Sequence, residues 1–172
     1  MSRYRIEIKW ALIFSVAMIL WMLAERFLGL HDEHIAKHAF YTNFFAIVAI
    51  GIYLLALYDK RKNYHNGYMN WKEGFISGVI LTLGIVIVSP LVQFVINEVI
   101  APDYFSNISR YSVETGEMTR EEAEAFFNPK NYVIQSMVWA GITGIITAAI
   151  TALLLRRKKP NPQQVKGTTP YR

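Results

Sequence analysis

The sequence predicts an all-α fold: a polytopic membrane protein with four transmembrane helices in an antiparallel bundle, and a short extracytoplasmic helical segment between helices 3 and 4. Four apolar stretches, about 10–28, 40–57, 75–100 and 132–155, are each close to the ~20 residues that a helix needs to cross ~30 Å of hydrocarbon. A backbone in lipid has to satisfy its own hydrogen bonds, so four such stretches read as helices. Charge is also segregated. With the N-terminus inside, thirteen of the eighteen basic residues and three of the thirteen acids fall in inner segments, a net +10 against −5 outside. The positive-inside rule then places both termini in the cytoplasm. The overall charge of +5 therefore reports topology and contact with anionic lipid, not nucleic-acid binding. No basic and aromatic interleaving of the kind that tracks a strand is present.

The first span follows Arg3, Arg5 and Lys9 and reads as a retained signal anchor, because only Met22-Leu23-Ala24 hints at a cleavage site. Glu25 and Arg26 close it near the outer interface, where long side chains snorkel to water. The polar link from Gly29 to His38 is short enough to make spans one and two antiparallel neighbours. Asp59 to Asn70 is a basic inner connector, with Tyr68 and Trp71 as interfacial aromatics ahead of span three. Span three carries Pro90 after Ser89, which predicts a kink whose freed carbonyl a hydroxyl can occupy. In the outer segment 101–131, Thr119-Arg120-Glu121-Glu122 has the form of a capping box opening a short acidic helix that ends near Asn128-Pro129. Residues 1–159 make one domain, and the Pro- and Gln-rich stretch 160–172 is a disordered cytoplasmic tail.

Chemistry is sparse. The absence of cysteine removes disulfides, thiol catalysis and thiolate metal sites together. Asn107-Ile108-Ser109 fits a glycosylation acceptor pattern, which carries no meaning in a bacterial host. Neither a nucleophile–base pair nor a phosphate loop appears, and the middles of the spans are apolar, so no catalytic residue and no cofactor is assigned.

Three constellations stand out. Ala140, Gly144, Ala148 and Ala152 on span four, with Gly74, Gly78 and Thr82 on span three, form ridges of small residues suited to close helix packing in the cytoplasmic half. Glu25, Asn43, Gln93, Asn97, Glu98 and Gln135 fall at similar depth in the outer half, either as interhelical hydrogen-bond glue or as the lining of an outward polar cleft. His31, His34 and His38, spaced i, i+3, i+7, would share a stripe on a continuous helix, as a metal or pH-sensing site needs. The plain reading of these histidines is a polar loop, and no metal is assigned to them.

The segments Gly29 to Asp32 with His34 to His38, Tyr58-Asp59-Lys60-Arg61, Trp71 to Phe75, Ala101 to Phe105 and Thr119 to Phe127 together form a signature. By these the chain resembles the bacterial family known as domain of unknown function 4199, small four-helix membrane proteins of Bacteroidota. The resemblance implies a bacterial inner-membrane location and supports four spans; it supplies no activity. The function expected is a non-enzymatic accessory or interaction subunit, with membrane lipid and a homo-oligomer or larger complex as partners. A transporter or ligand-binding protein using the outer cleft is the alternative, and a metal or pH sensor built on the histidines is the third reading.

Overall fold

The computed structural model describes residues 3–159. They form α1 (Arg5–Phe27), α2 (Ile35–Thr42), α3 (Phe45–Asn63), α4 (Trp71–Val95), α5 (Tyr104–Glu114), α6 (Arg120–Phe126) and α7 (Pro129–Leu155), with a π-helical turn Ile96–Ile100 extending α4. Four segments are long and apolar enough to cross a membrane: Arg5–Phe27, Ile35–Asn63, Trp71–Ile100 and Pro129–Leu155. This is a multi-pass membrane protein. Leu20, Ile87, Leu91 and Leu154 stand outward on the bundle, the surface that lipid covers. The tail expected at 160–172 lies outside the described residues.

The second span is built from α2 and α3. Asn43 and Phe44 keep right-handed helical dihedrals, but Phe44, Ala46 and Ile47 bond to carbonyls three residues back, so the helix tightens without breaking. The link between the third and fourth spans holds two helices, α5 and α6, where the sequence suggested one. Thr119 and Glu122 form the reciprocal capping box that opens α6.

α4 is the centre of the bundle, packing most extensively on α7 and next on α1. Its contact with α7 runs through absent side chains. A Cβ at Gly78 would lie 2.5 Å from Ala148 Cβ, one at Gly144 2.5 Å from Thr82 Cγ2, and one at Gly74 3.1 Å from Ala152 Cβ. The two backbones approach as small-residue ridges permit, and most of the ridge on α7 is consumed inside the chain. Pro90 lies further along α4. It removes the bond that the Val86 carbonyl would accept, and the Ser89 hydroxyl donates to that carbonyl at 2.9 Å.

The end of the bundle where α1 begins and α7 ends, the basic end, is tied by polar contacts. Glu7 and Lys60, both at most 4% exposed, pair at 2.8 Å; Ser77 donates to Glu7 at 2.7 Å, and Lys60 donates to the Arg3 carbonyl at 2.6 Å. One carboxylate thus joins α1, α3 and α4. Lys9 pairs with Asp59, to which Trp10 also donates, and backbone bonds between Met69 and Arg157 close the loop onto the end of α7.

The α4–α7 contact makes a paired prediction. Gly78→Ala should cost about 1–3 kcal/mol by overpacking. Gly141→Ala, where nothing lies within 4 Å, should be neutral or stabilise by about 0.5–1 kcal/mol. Thermal unfolding of the two variants in detergent separates them.

Candidate functional site

Two features occupy the opposite, acidic end of the bundle. The first is built where α1 turns into α2. Gly29 takes φ +70°, Gly29 N–H donates to the Arg26 carbonyl and Leu30 N–H to the Glu25 carbonyl, so α1 ends in a Schellman motif that reverses the chain. The reversal drops His31 under the turn and starts α2 at Ile35, one helical turn before His38. Asn107 on α5 donates to the His31 carbonyl at 3.1 Å and anchors α5 over the turn.

His31, His38 and Glu25 meet there, at 0%, 8% and 2% exposure. Glu25 does not snorkel; it turns inward, and Arg26 pairs with Asp32 instead. His31 Nε2 lies 3.4 Å and His38 Nε2 3.3 Å from the same carboxylate oxygen, Glu25 Oε2, while Trp21 Nε1–H donates to Oε1 at 2.6 Å. The Tyr104 hydroxyl lies 3.3 Å from His38 Nδ1, and its ring stands 5.3 and 5.0 Å from the two imidazoles. Burial pushes the Tyr104 hydroxyl well above the usual tyrosine range, with nearby Tyr132 and Glu25 adding to the shift. It therefore remains neutral, able to donate or accept. His31 Nδ1 and His38 Nε2 are buried without a hydrogen-bond partner; the latter is within ion-pair distance of Glu25 but off the hydrogen-bonding angle. Each buried orphan of this kind costs about 1–3 kcal/mol. His34 is exposed and takes no part.

The second feature is a lateral groove of about 560 Å³ between α3 and α7, floored by residues of α1 and α4. α3 meets α7 at Tyr53, beside Gly144, and the groove runs past this contact, from Thr147 toward the acidic end. Asn43, Gln93 and Gln135 line it, drawn from three different spans, and Ala140 borders it with Ala46 and Ala49 opposite. Most of its hydroxyls are spent locally: Thr143 and Thr147 donate to the carbonyls four residues back, Ser136 to Val133, and Tyr53 pairs with Thr82 at 2.7 Å. The walls thus present mainly hydrocarbon, with the Thr42 and Tyr132 hydroxyls besides the amides.

Of the six residues placed at one depth by the sequence, Asn43, Gln93 and Gln135 line the groove and Glu25 joins the histidines. Asn97 and Glu98 belong to neither, because the π-helical turn that holds them shifts the helical phase after Val95. Of the small residues, Gly74, Gly78, Gly144, Ala148 and Ala152 mediate the α4–α7 contact. Tyr104 carries no sequence signal linking it to the histidines, since it comes from α5, far along the chain, whereas Trp21 lies one turn before Glu25 on α1, a spacing that could have pointed to the pair.

A family profile described as protein of unknown function (DUF4199) matches residues 9–157. The chain belongs to this family. No curated protein and no solved structure matches it. The DUF4199 match takes in the groove and the buried cluster whole; Glu7, of the ion pair at the basic end, lies just before it.

Gly29→Ala places a Cβ in the left-handed region, 3.0 Å from His34 Nδ1. It should cost about 1–2 kcal/mol and speed amide exchange in 29–38, read by hydrogen–deuterium exchange, while leaving the basic end unchanged.

Proposed function

We propose that this DUF4199 protein is a non-enzymatic, multi-pass protein of the bacterial inner membrane, with both termini cytoplasmic. In this reading it binds an amphiphilic ligand in the groove between α3 and α7. The observation that carries it is the groove itself: a concavity of ligand size at membrane depth, with apolar walls and the Asn43, Gln93 and Gln135 amides. From Tyr132 to Thr147 it runs along about 22 Å of α7, long enough for a hydrocarbon tail. A head with hydrogen-bonding groups would meet the amides toward the acidic end. The groove lining contains no carboxylate, imidazole or amine, which favours binding over catalysis. Assembly through the α7 ridge has less support, because Gly144, Ala148 and Ala152 are already packed on α4. A partner's helix laid against Ala46, Ala49 and Ala140 is the second reading, favoured by the small residues on both walls. Membrane lipid is the expected source of the ligand.

Native mass spectrometry of the protein extracted from its own membrane tests this directly. A stoichiometric lipid-sized adduct is expected on the wild type. Ala140→Trp, which fills the groove, should remove it, and Gln93→Leu should weaken retention about fivefold for one lost hydrogen bond of ~1 kcal/mol. A bare protein would sink the ligand reading, and a stoichiometric polypeptide would install the accessory-subunit reading in its place.

Orientation is tested separately, using the absence of cysteine from the sequence. A membrane-impermeant maleimide applied to spheroplasts should label Glu117→Cys, in the link between α5 and α6, and not Lys158→Cys. The reverse pattern would invert the topology.

A further inference from the structure

We propose that Glu25, His31 and His38 form a binding site for a zinc-class divalent transition-metal ion, independent of the groove. Three donors from separate parts of the fold, the end of α1, the turn and α2, converge with their ligand atoms all within 4.8 Å of one another. Bonds of about 2.0–2.1 Å around a tetrahedral ion set ligand–ligand edges of about 3.3–3.4 Å. Glu25 Oε2 stands 3.3 Å from His38 Nε2 and 3.4 Å from His31 Nε2.

A shared proton accounts for less. A hydrogen bond from His31 Nε2 to Glu25 satisfies one pair, and leaves His38 Nε2 aimed at the same oxygen with no hydrogen bond of its own. An ion between the three atoms engages His38 Nε2 and explains why both imidazoles turn one Nε2 toward a single carboxylate oxygen. The outer contacts fit the same assignment. Trp21 holds the free carboxylate oxygen, and Tyr104 can accept from His38 Nδ1–H, which fixes the tautomer that leaves Nε2 free to ligate. Two imidazoles and one carboxylate select a borderline transition ion such as Zn²⁺ over Mg²⁺ or Ca²⁺, which prefer all-oxygen shells.

Met22 and Leu23, on α1 just ahead of Glu25, pack with Val92, Ile96 and Ile100 in an apolar cluster on the span side of the site. An ion held by Glu25, His31 and His38 pins α1 to α2 beneath the α5 cap.

The test uses the full-length protein in detergent, stripped with a chelator and titrated with ZnCl₂ alone against a competing indicator, with metal content read by mass spectrometry. One zinc per chain is expected, with a melting temperature that rises with the logarithm of free zinc. Co²⁺ in place of zinc should give the visible absorption of a tetrahedral nitrogen and oxygen site. Glu25→Gln and His38→Gln should weaken zinc at least a hundredfold, Trp21→Phe about tenfold, and the exposed His34→Ala not at all. Should Glu25→Gln fail to fold, Trp21→Phe and the wild-type cobalt spectrum still decide the matter. Wild type that takes up no zinc, or folded Glu25→Gln that binds as tightly as wild type, overturns the proposal. So does stabilisation that follows pH and is indifferent to zinc. Lipid retention in the groove is unaffected by any of these results, so the two readings fail separately.

Discussion

The close approach of α4 and α7 is the constraint on which the rest of the structure depends. In lipid no hydrophobic force drives helices together, so their association rests on packing and on buried polar contacts. Where Gly74, Gly78 and Gly144 omit side chains, the two helices meet nearly backbone to backbone. That contact fixes α4 as the pillar, and α1 and α3 then seal its other sides through Ala11, Tyr53, Ala56, Leu81 and Ile85. The buried Glu7–Lys60 pair with Ser77 locks three of these helices at the basic end. Removing either partner would strand a charge in a low-dielectric setting, so the arrangement resists change.

The acidic half is organised on a different principle. Its α3–α7 seam is not closed by small residues, and the α2–α3 junction tightens at Asn43 and Phe44 just where the groove begins. The result is a bundle with one sealed end and one end that retains space. Above that space the turn after Gly29, α2 and α5 form a cap held by the Asn107 bond and by the aromatic contacts of Tyr104 with both imidazoles. Phe105 on α5 also meets Tyr132 at the head of α7, so cap and groove share a wall.

Much of the architecture was legible in the sequence because lipid imposes a length and a composition on each span, and four spans follow from counting apolar runs. The Ser89–Pro90 pair was readable for a related reason: proline frees one known carbonyl, and a neighbouring hydroxyl is within reach. The sites were harder. Side chains placed at one depth by residue counting share a depth but not a direction, and the π-helical turn after Val95 changes direction without any composition signal. Glu25 read as an interfacial side chain because, with Arg26, it closes the apolar run of the first span, whereas its neighbours in space are two imidazoles and an indole.

The sequence by itself determined the number of spans, the small-residue ridges and the segregation of charge, since each depends on local composition measured against the membrane. The tertiary structure alone decided the convergence of His31, His38 and Glu25. On a continuous helix, residues seven apart are separated by about 10.5 Å along the axis, too far to share an ion. Here the chain is a turn, not helix, from His31 to His34, which brings the two rings to 5.4 Å, and Gly29 at φ +70° folds that turn back toward Glu25. That single φ angle, and the packing of α5 above it, are outcomes of three-dimensional context that spacing along the chain does not contain.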